Sequence, residues 1–253
     1  MRKNWSTEEL ILALRLYYNI PFSKIHFSHK EIRELSKIIN RTPSSIALKL
    51  VNFARLDPDL KKREISGMRH GSKADEEIWY KYYGKWDVLA YKSEQILAAY
   101  KNEPIELSSE IDLSNIPSEG KEREAIVKTR VNQKFFRSMV LACYENKCCI
   151  TGIDIPQLLI ASHIKPWSSD IENRMNPCNG LCLNLLHDKA FDKGLITITP
   201  DYKIRLSDLV KKNGNSVIKE FFKSTEGEKI ELPLKFLPSK IFLEYHNSEI
   251  FLH

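Results

Sequence analysis

This sequence has no long apolar run. Its most apolar stretch near the start, EELILALRLYY, is too short and too interrupted by charge to span a bilayer. Cysteine is scarce, with five residues (Cys143, Cys148, Cys149, Cys178 and Cys182), two of them adjacent and none spaced C-x-x-C. An odd number of thiols without that spacing excludes a disulfide framework, argues against a structural zinc knuckle, and points to a reducing cytoplasm. No internal repeat is visible, which excludes a solenoid. The start, MRKNWSTEE, lacks an apolar core and a cleavage site, so no secretion signal is expected. With 42% hydrophobic and 28% charged residues, the 253-residue chain has the composition of a globular protein of one large domain or two small ones.

Positive charge is present and unevenly placed. Residues 1–92 carry 18 Lys and Arg against 11 Asp and Glu, whereas residues 93–120 carry one Lys against six acids. A basic front suits a polyanionic partner. The acidic segment, rich in Ser and Pro, reads as a linker, giving a front domain over 1–92, a linker over 93–120 and a back domain over 121–253.

The front reads as helices. Ser6-Thr7-Glu8-Glu9 offers a cap, and Pro21 ends the helix that follows. Ser28-His29-Lys30-Glu31 has the pattern of a capping box. Thr42 can cap a third helix, with Pro43 suited to its first position. Helices joined by a tight polar turn have the form of a helix-turn-helix unit, which would bring Ser44, Ser45 and Lys49, with Arg41 nearby, to DNA. The aromatic cluster Trp79, Tyr82, Tyr83 and Trp86 is expected in the core; the alternative is a base-stacking surface. The stretch 67–77 is a weaker candidate for phosphate contact.

The back mixes periods. Residues 122–146 form an amphipathic helical pattern. LLIASHI, GLCLNLL, GLITITP and YKIRLS read as strands, and a helix is expected after Pro238. The fold class is therefore α+β.

Hydrolysis of a phosphodiester needs a base for water and a cation for the phosphoryl charge. The segment 158–194 has a layout that supplies both. His163 ends an apolar strand. Asn179-Gly180 opens the next strand, and Asn179 can tie down the loop through its amide. His187 starts a short helix, and Phe191-Asp192 closes it before Gly194, which suits a C-cap.

The pattern SHIKPW…NPxNGLxLxxxHxxxFDxG, with a core over 145–200, resembles the HNH nuclease family, in a bacterial branch with an AHIxPW-type first motif. KCCITG and EYHNSEIF are similar to that branch too, and the pattern WSTEELILALRLYY…RTPSSIALKLVNFARLD (5–57) resembles a module found ahead of HNH domains in restriction-type endonucleases. The resemblance implies a ββα-metal site in which His163 is the general base, Asn179 the structural asparagine and His187 a metal ligand. Asp192 is then a further ligand or a group orienting His187. Mg²⁺ or Mn²⁺ is the implied ion, and double-stranded DNA the implied substrate. Cutting both strands would call for a homodimer. Ser162 stands where many HNH sites carry an acidic or histidine ligand. Lys165 is expected to brace the loop and, with Arg174, to contact DNA; His29, His70, His246 and His253 have no convergent partners. The implied function is a metal-dependent DNA endonuclease in restriction or defence. The alternatives are a DNA-binding regulator with a degraded site and a single-strand or RNA nuclease.

Overall fold

A computed structural model describes residues 4–65, 71–112, 114 and 116–253. The chain divides into two compact units, residues 1–139 and 140–253.

The first unit is helical. Its helices are α1 (Thr7–Asn19), α2 (Lys30–Ile38), α3 (Pro43–Ala54), α4 (Pro58–Lys62), α5 (Lys73–Tyr82), α6 (Trp86–Lys101) and α7 (Ile105–Ser108), with most of α8 (Lys121–Cys143). α1 starts at a reciprocal capping box between Ser6 and Glu9, and Thr42 caps α3 ahead of Pro43. At α2 the expected box does not form. His29 holds the cap position, and the Ser28 hydroxyl pairs with His26 Nδ1 instead (2.7 Å).

The core is aromatic. Tyr17, Tyr18, Phe53, Trp79 and Trp86 are buried against one another at ring separations of 4.9–6.4 Å. Tyr82 is buried too, and Tyr83 stacks on Trp79 at 5.4 Å. Most of the 79–86 cluster is therefore core, and its rings are not presented as a stacking platform.

The segment expected as a linker opens inside α6 and contains α7. α6 runs through residue 101 and packs along α1. Its acids are ion-pair partners: Glu94 meets Arg15 and Ser108, Glu106 meets Arg123 at 2.7 Å, and Glu110 meets Lys134 at 2.8 Å. An acidic composition that suggested solvated chain is thus consumed by cations from other elements. Residues 67–70 of the expected phosphate-contact stretch lie outside the described residues.

The second unit holds two antiparallel strand pairs. β1 (Leu159–His163) pairs with β2 (Gly180–Asn184), His163 opposite Gly180 and Leu159 opposite Asn184. α9 (Leu185–Asp192) follows β2 directly, and β3 (Ile196–Ile198) pairs with β4 (Ile204–Leu206). α10 (Asp208–Lys212), α11 (Ser216–Phe221) and α12 (Lys240–Glu249) complete it. Every residue of β2 is buried, so this strand is the floor of the unit. α12 packs on β3, where the His246 ring lies 3.6 Å from that of Phe191. The Thr197 hydroxyl donates to His246 Nδ1 (2.8 Å), while Nε2 donates to the carbonyl of Phe191 (3.1 Å). This neutral, buried histidine joins α12 to α9, and burial lowers its pKa to about 4.

Candidate active site

The β1–β2–α9 unit gathers the groups picked out by spacing. Asn179 is buried at the end of a 3-10 turn (Pro177–Asn179). Its Nδ2 donates to the carbonyl of Lys165 (3.0 Å), and its Oδ1 accepts from the Lys165 N–H (2.8 Å). The backbone N–H of Ile164 donates to the Asn179 carbonyl (3.0 Å). One amide therefore closes the base of the loop between β1 and β2 in both directions. Within the loop, Lys165 pairs with Asp170 (3.1 Å), and the Asn173 amide donates to the same carboxylate. Lys165 also lies 4.9 Å from the Tyr245 ring, so its charge braces the loop.

His163 sits at the last position of β1, largely covered and packed edge-on against Trp167 (5.5 Å). Its Nε2 is 2.9 Å from the backbone carbonyl of Arg174. A carbonyl only accepts, so Nε2 carries the proton and Nδ1 the lone pair in the neutral ring. Burial lowers the His163 pKa, while the Arg174 carbonyl and the charge of Asp192 oppose that shift. The ring is thereby held in the basic form near neutral pH. The Arg174 side chain turns inward, with Nε donating to the Trp167 carbonyl (2.7 Å) and the guanidinium 5.0 Å from the Trp167 ring. The Arg174 group that meets His163 is its backbone carbonyl.

His187 is placed differently from the expectation. It is fully buried at the first turn of α9. Its Nε2 donates to the carbonyl of Phe221 (3.1 Å), and its Nδ1 lies 3.1 Å from Asn184 Oδ1, the oxygen that also accepts its backbone N–H (2.9 Å). The Phe222 ring covers it at 5.1 Å. Both nitrogens face protein oxygens, so neither directs a lone pair toward a cation. The role of metal ligand expected for His187 is corrected to that of a buried brace between α9 and the α11 segment.

The neighbouring Asp188 faces the other way. Its carboxyl is half-buried, and burial pushes its pKa up. The hydroxyl of Ser162 pulls that pKa down, and the charge of Asp192 raises it. Ser162 Oγ is buried and makes no hydrogen bond of good geometry, so its contact with Asp188 is long or off-line. Asp188 and Asp192 are one helical turn apart on one face of α9. Ser162, His163, Asp188 and Asp192 thus form a group with one buried, unsatisfied hydroxyl, two carboxylates and an imidazole. Among the described residues, no three His, Cys, Asp or Glu side chains converge as a ready-made metal cage.

Residues 148–199 match the family model described as HNH endonuclease. The chain carries an HNH endonuclease domain. No curated protein matches the chain. The match covers the β1–β2–α9 unit and ends just beyond β3. An HNH domain implies a nucleic-acid substrate and nuclease chemistry. HNH nucleases generally use a divalent metal. The donors here fit a hard cation, because Mg²⁺ is commonly held by one or two carboxylates with water and substrate phosphate completing the shell. The orphaned Ser162 hydroxyl would gain a partner in the same arrangement.

Sequence reasoning missed Asp188, although its four-residue spacing from Asp192 was readable. It also missed the Arg174 and Phe221 carbonyls, which no side-chain motif could signal. All five cysteines are free thiols. Among the described residues, no helix is long and apolar enough to cross a membrane.

The expected DNA-contact residues Arg41, Ser44, Ser45 and Lys49 belong to the helical unit. Arg41, Ser44, Ser45 and Lys49 line one open groove of about 940 Å³ with Trp5 and Asn52. Two of them are not available as phosphate contacts. Arg41 forms a bidentate pair with Glu9 (3.0 and 2.8 Å) and stacks on Trp5. Lys49 is buried, with its ammonium 2.6 Å from Asp75. Their charges neutralise buried carboxylates, which corrects the expectation for both. Ser44 is exposed and Ser45 half-buried at the start of α3.

Proposed function

We propose that this protein is a divalent-metal-dependent endonuclease that hydrolyses phosphodiester bonds of double-stranded DNA. The observation that carries the reading is the pairing of His163, tautomerically set by the Arg174 carbonyl, with the Asp188–Asp192 face of α9. His163 Nδ1 takes the proton of the attacking water, and Asn179 keeps β1 and its loop registered so that the ring is aimed. Asp188 and Asp192, with Ser162 beside them, would hold the metal. When bound, such an ion neutralises charge on the phosphoryl and leaving oxygens. His187 supports the carboxylate face from behind by fixing the start of α9.

The helical unit is the docking module in this reading. The exposed start of α3 and the surplus of Lys and Arg over residues 1–92 support it. A basic docking module joined to a nuclease unit fits restriction or other defence against foreign DNA, acting as a homodimer where both strands are cut. The competing reading, a DNA-binding regulator with a degraded site, is favoured by the absence of three convergent ligand groups among the described residues.

Incubation of supercoiled plasmid with the full chain separates the two. Conversion to nicked or linear DNA with Mg²⁺ or Mn²⁺, and none with excess chelator, is the expected result. Intact plasmid under every metal condition would overturn the nuclease reading.

A further inference from the structure

Leu185 and Leu186 open α9, yet they are 48% and 47% exposed. Neither belongs to the core of the unit. The helix is capped by the side chain of Asn184, so the leucines do not serve its start, where acidic or polar side chains are favoured. At helical spacing Leu185 lies on the face of Asp188 and Asp192, three and seven positions on. His187, Ala190 and Phe191 form the opposite, buried face. Next to the carboxylate edge runs a second edge, which begins with Leu185 and Leu186 and continues with the exposed Lys189 and Lys193. Two bare apolar side chains thus adjoin two cations, immediately beside the carboxylates assigned to the reaction. Lysines in that position complement a polyanion. Apolar side chains so placed match the way proteins unstack a base step from the groove.

We propose that Leu185 and Leu186 form an apolar wedge that enters the groove of duplex DNA beside the scissile phosphate and unstacks the adjoining base step. Lys189 and Lys193 follow the backbone past it. The wedge is a substrate-positioning element and rests on the nuclease reading above. It assigns the enzyme a preference for duplex that can be opened, and it adds a cost for stiff duplex that a pre-opened site does not carry.

The test uses the full chain, wild type and the Leu185→Ala/Leu186→Ala double variant. Substrates are a continuous duplex and the same duplex carrying a short unpaired bubble. Permanganate reactivity of thymines, measured with Ca²⁺, reports unstacking without relying on cleavage. The wild type should create reactive thymines in the continuous duplex, and the double variant should not. Cleavage of the continuous duplex should fall about tenfold or more in the variant, with bubble cleavage within about twofold of wild type. A Leu185→Met/Leu186→Met variant, which keeps apolar probes at both positions, should retain continuous-duplex cleavage. Equal loss on both substrates, or no loss on either, overturns the wedge. Equal loss with a shift from dimer to monomer would assign the leucines to contact with a second copy, and overturns it as well. If the wild type cuts neither DNA with Mg²⁺ or Mn²⁺, the nuclease reading falls, and the permanganate pattern still decides the wedge.

Discussion

His163 Nε2 donates to the backbone carbonyl of Arg174 across 2.9 Å, so the loop between β1 and β2 chooses the tautomer of the base that precedes it. That loop is closed by Asn179, which reaches both the N–H and the carbonyl of Lys165 and lies 3.4 Å from the carbonyl of Asn173, next to Arg174. Asn179→Ala should therefore damage catalysis through aim, lowering the cleavage rate on the order of 10²-fold. Mn²⁺ affinity should stay within about twofold of wild type. Loss of Mn²⁺ binding together with activity would show that Asn179 acts on the carboxylates instead.

The two adjacent residues His187 and Asp188 should separate cleanly. Asp188→Asn should weaken Mn²⁺ binding about tenfold or more in a direct titration, with the melting temperature held or raised, because burial and Asp192 both disfavour its charge. His187→Ala should do the reverse. It leaves the Phe221 carbonyl without its donor and a void under the Phe222 ring, and should cost roughly 1–3 kcal/mol in denaturant unfolding. A larger loss of Mn²⁺ affinity in His187→Ala than in Asp188→Asn would restore His187 as the ligand.

Lys49 offers a similar contrast in the helical unit. Lys49→Ala strands the fully buried Asp75 and should destabilise the chain by about 3–5 kcal/mol. A phosphate-contacting lysine would instead leave stability alone and lower the salt slope of DNA binding by about one. Unfolding curves and a salt series on the same variant distinguish the two.

His246 makes the fold sensitive to acid. Its pKa is about 4 in the folded chain, against an ordinary value of about 6.5 when unfolded. The unfolded state therefore binds a proton that the folded state does not, starting as pH falls through 6.5. Stability should be fully present above that pH and decline down to about pH 4, by roughly 3 kcal/mol from this group. His246→Gln should flatten that part of the stability curve, measured by denaturant midpoints between pH 4 and 7. An unchanged slope would show that His246 is protonated in the native state.

Gly194 closes α9 at φ +66°, where a Cβ would collide with the Ile250 carbonyl oxygen. Gly194→Ala should lower the melting temperature by several degrees, because neither the backbone conformation nor that contact can give way cheaply.

Features carried by contiguous residues were legible in advance. The Thr42-Pro43 cap, the strands around SHI and GLCL, and the asparagine at the loop base are all local patterns. What was misread depends on distant partners. Residues 93–120 looked like a linker because their acids meet Arg15, Arg123 and Lys134 only in the fold. Lys49 looked like a surface cation because Asp75 is 26 residues away. His187 looked like a ligand because the carbonyl that occupies it is 34 residues further on. Asp188 does carry a local signal, its four-residue helical spacing from Asp192.

The most direct test of the account is the cleavage rate of supercoiled plasmid by His163→Ala, measured beside its Mn²⁺ affinity. A rate lowered by about 10²–10⁴-fold is expected, with Mn²⁺ affinity within about twofold of wild type. Cleavage by His163→Ala at the wild-type rate would contradict it.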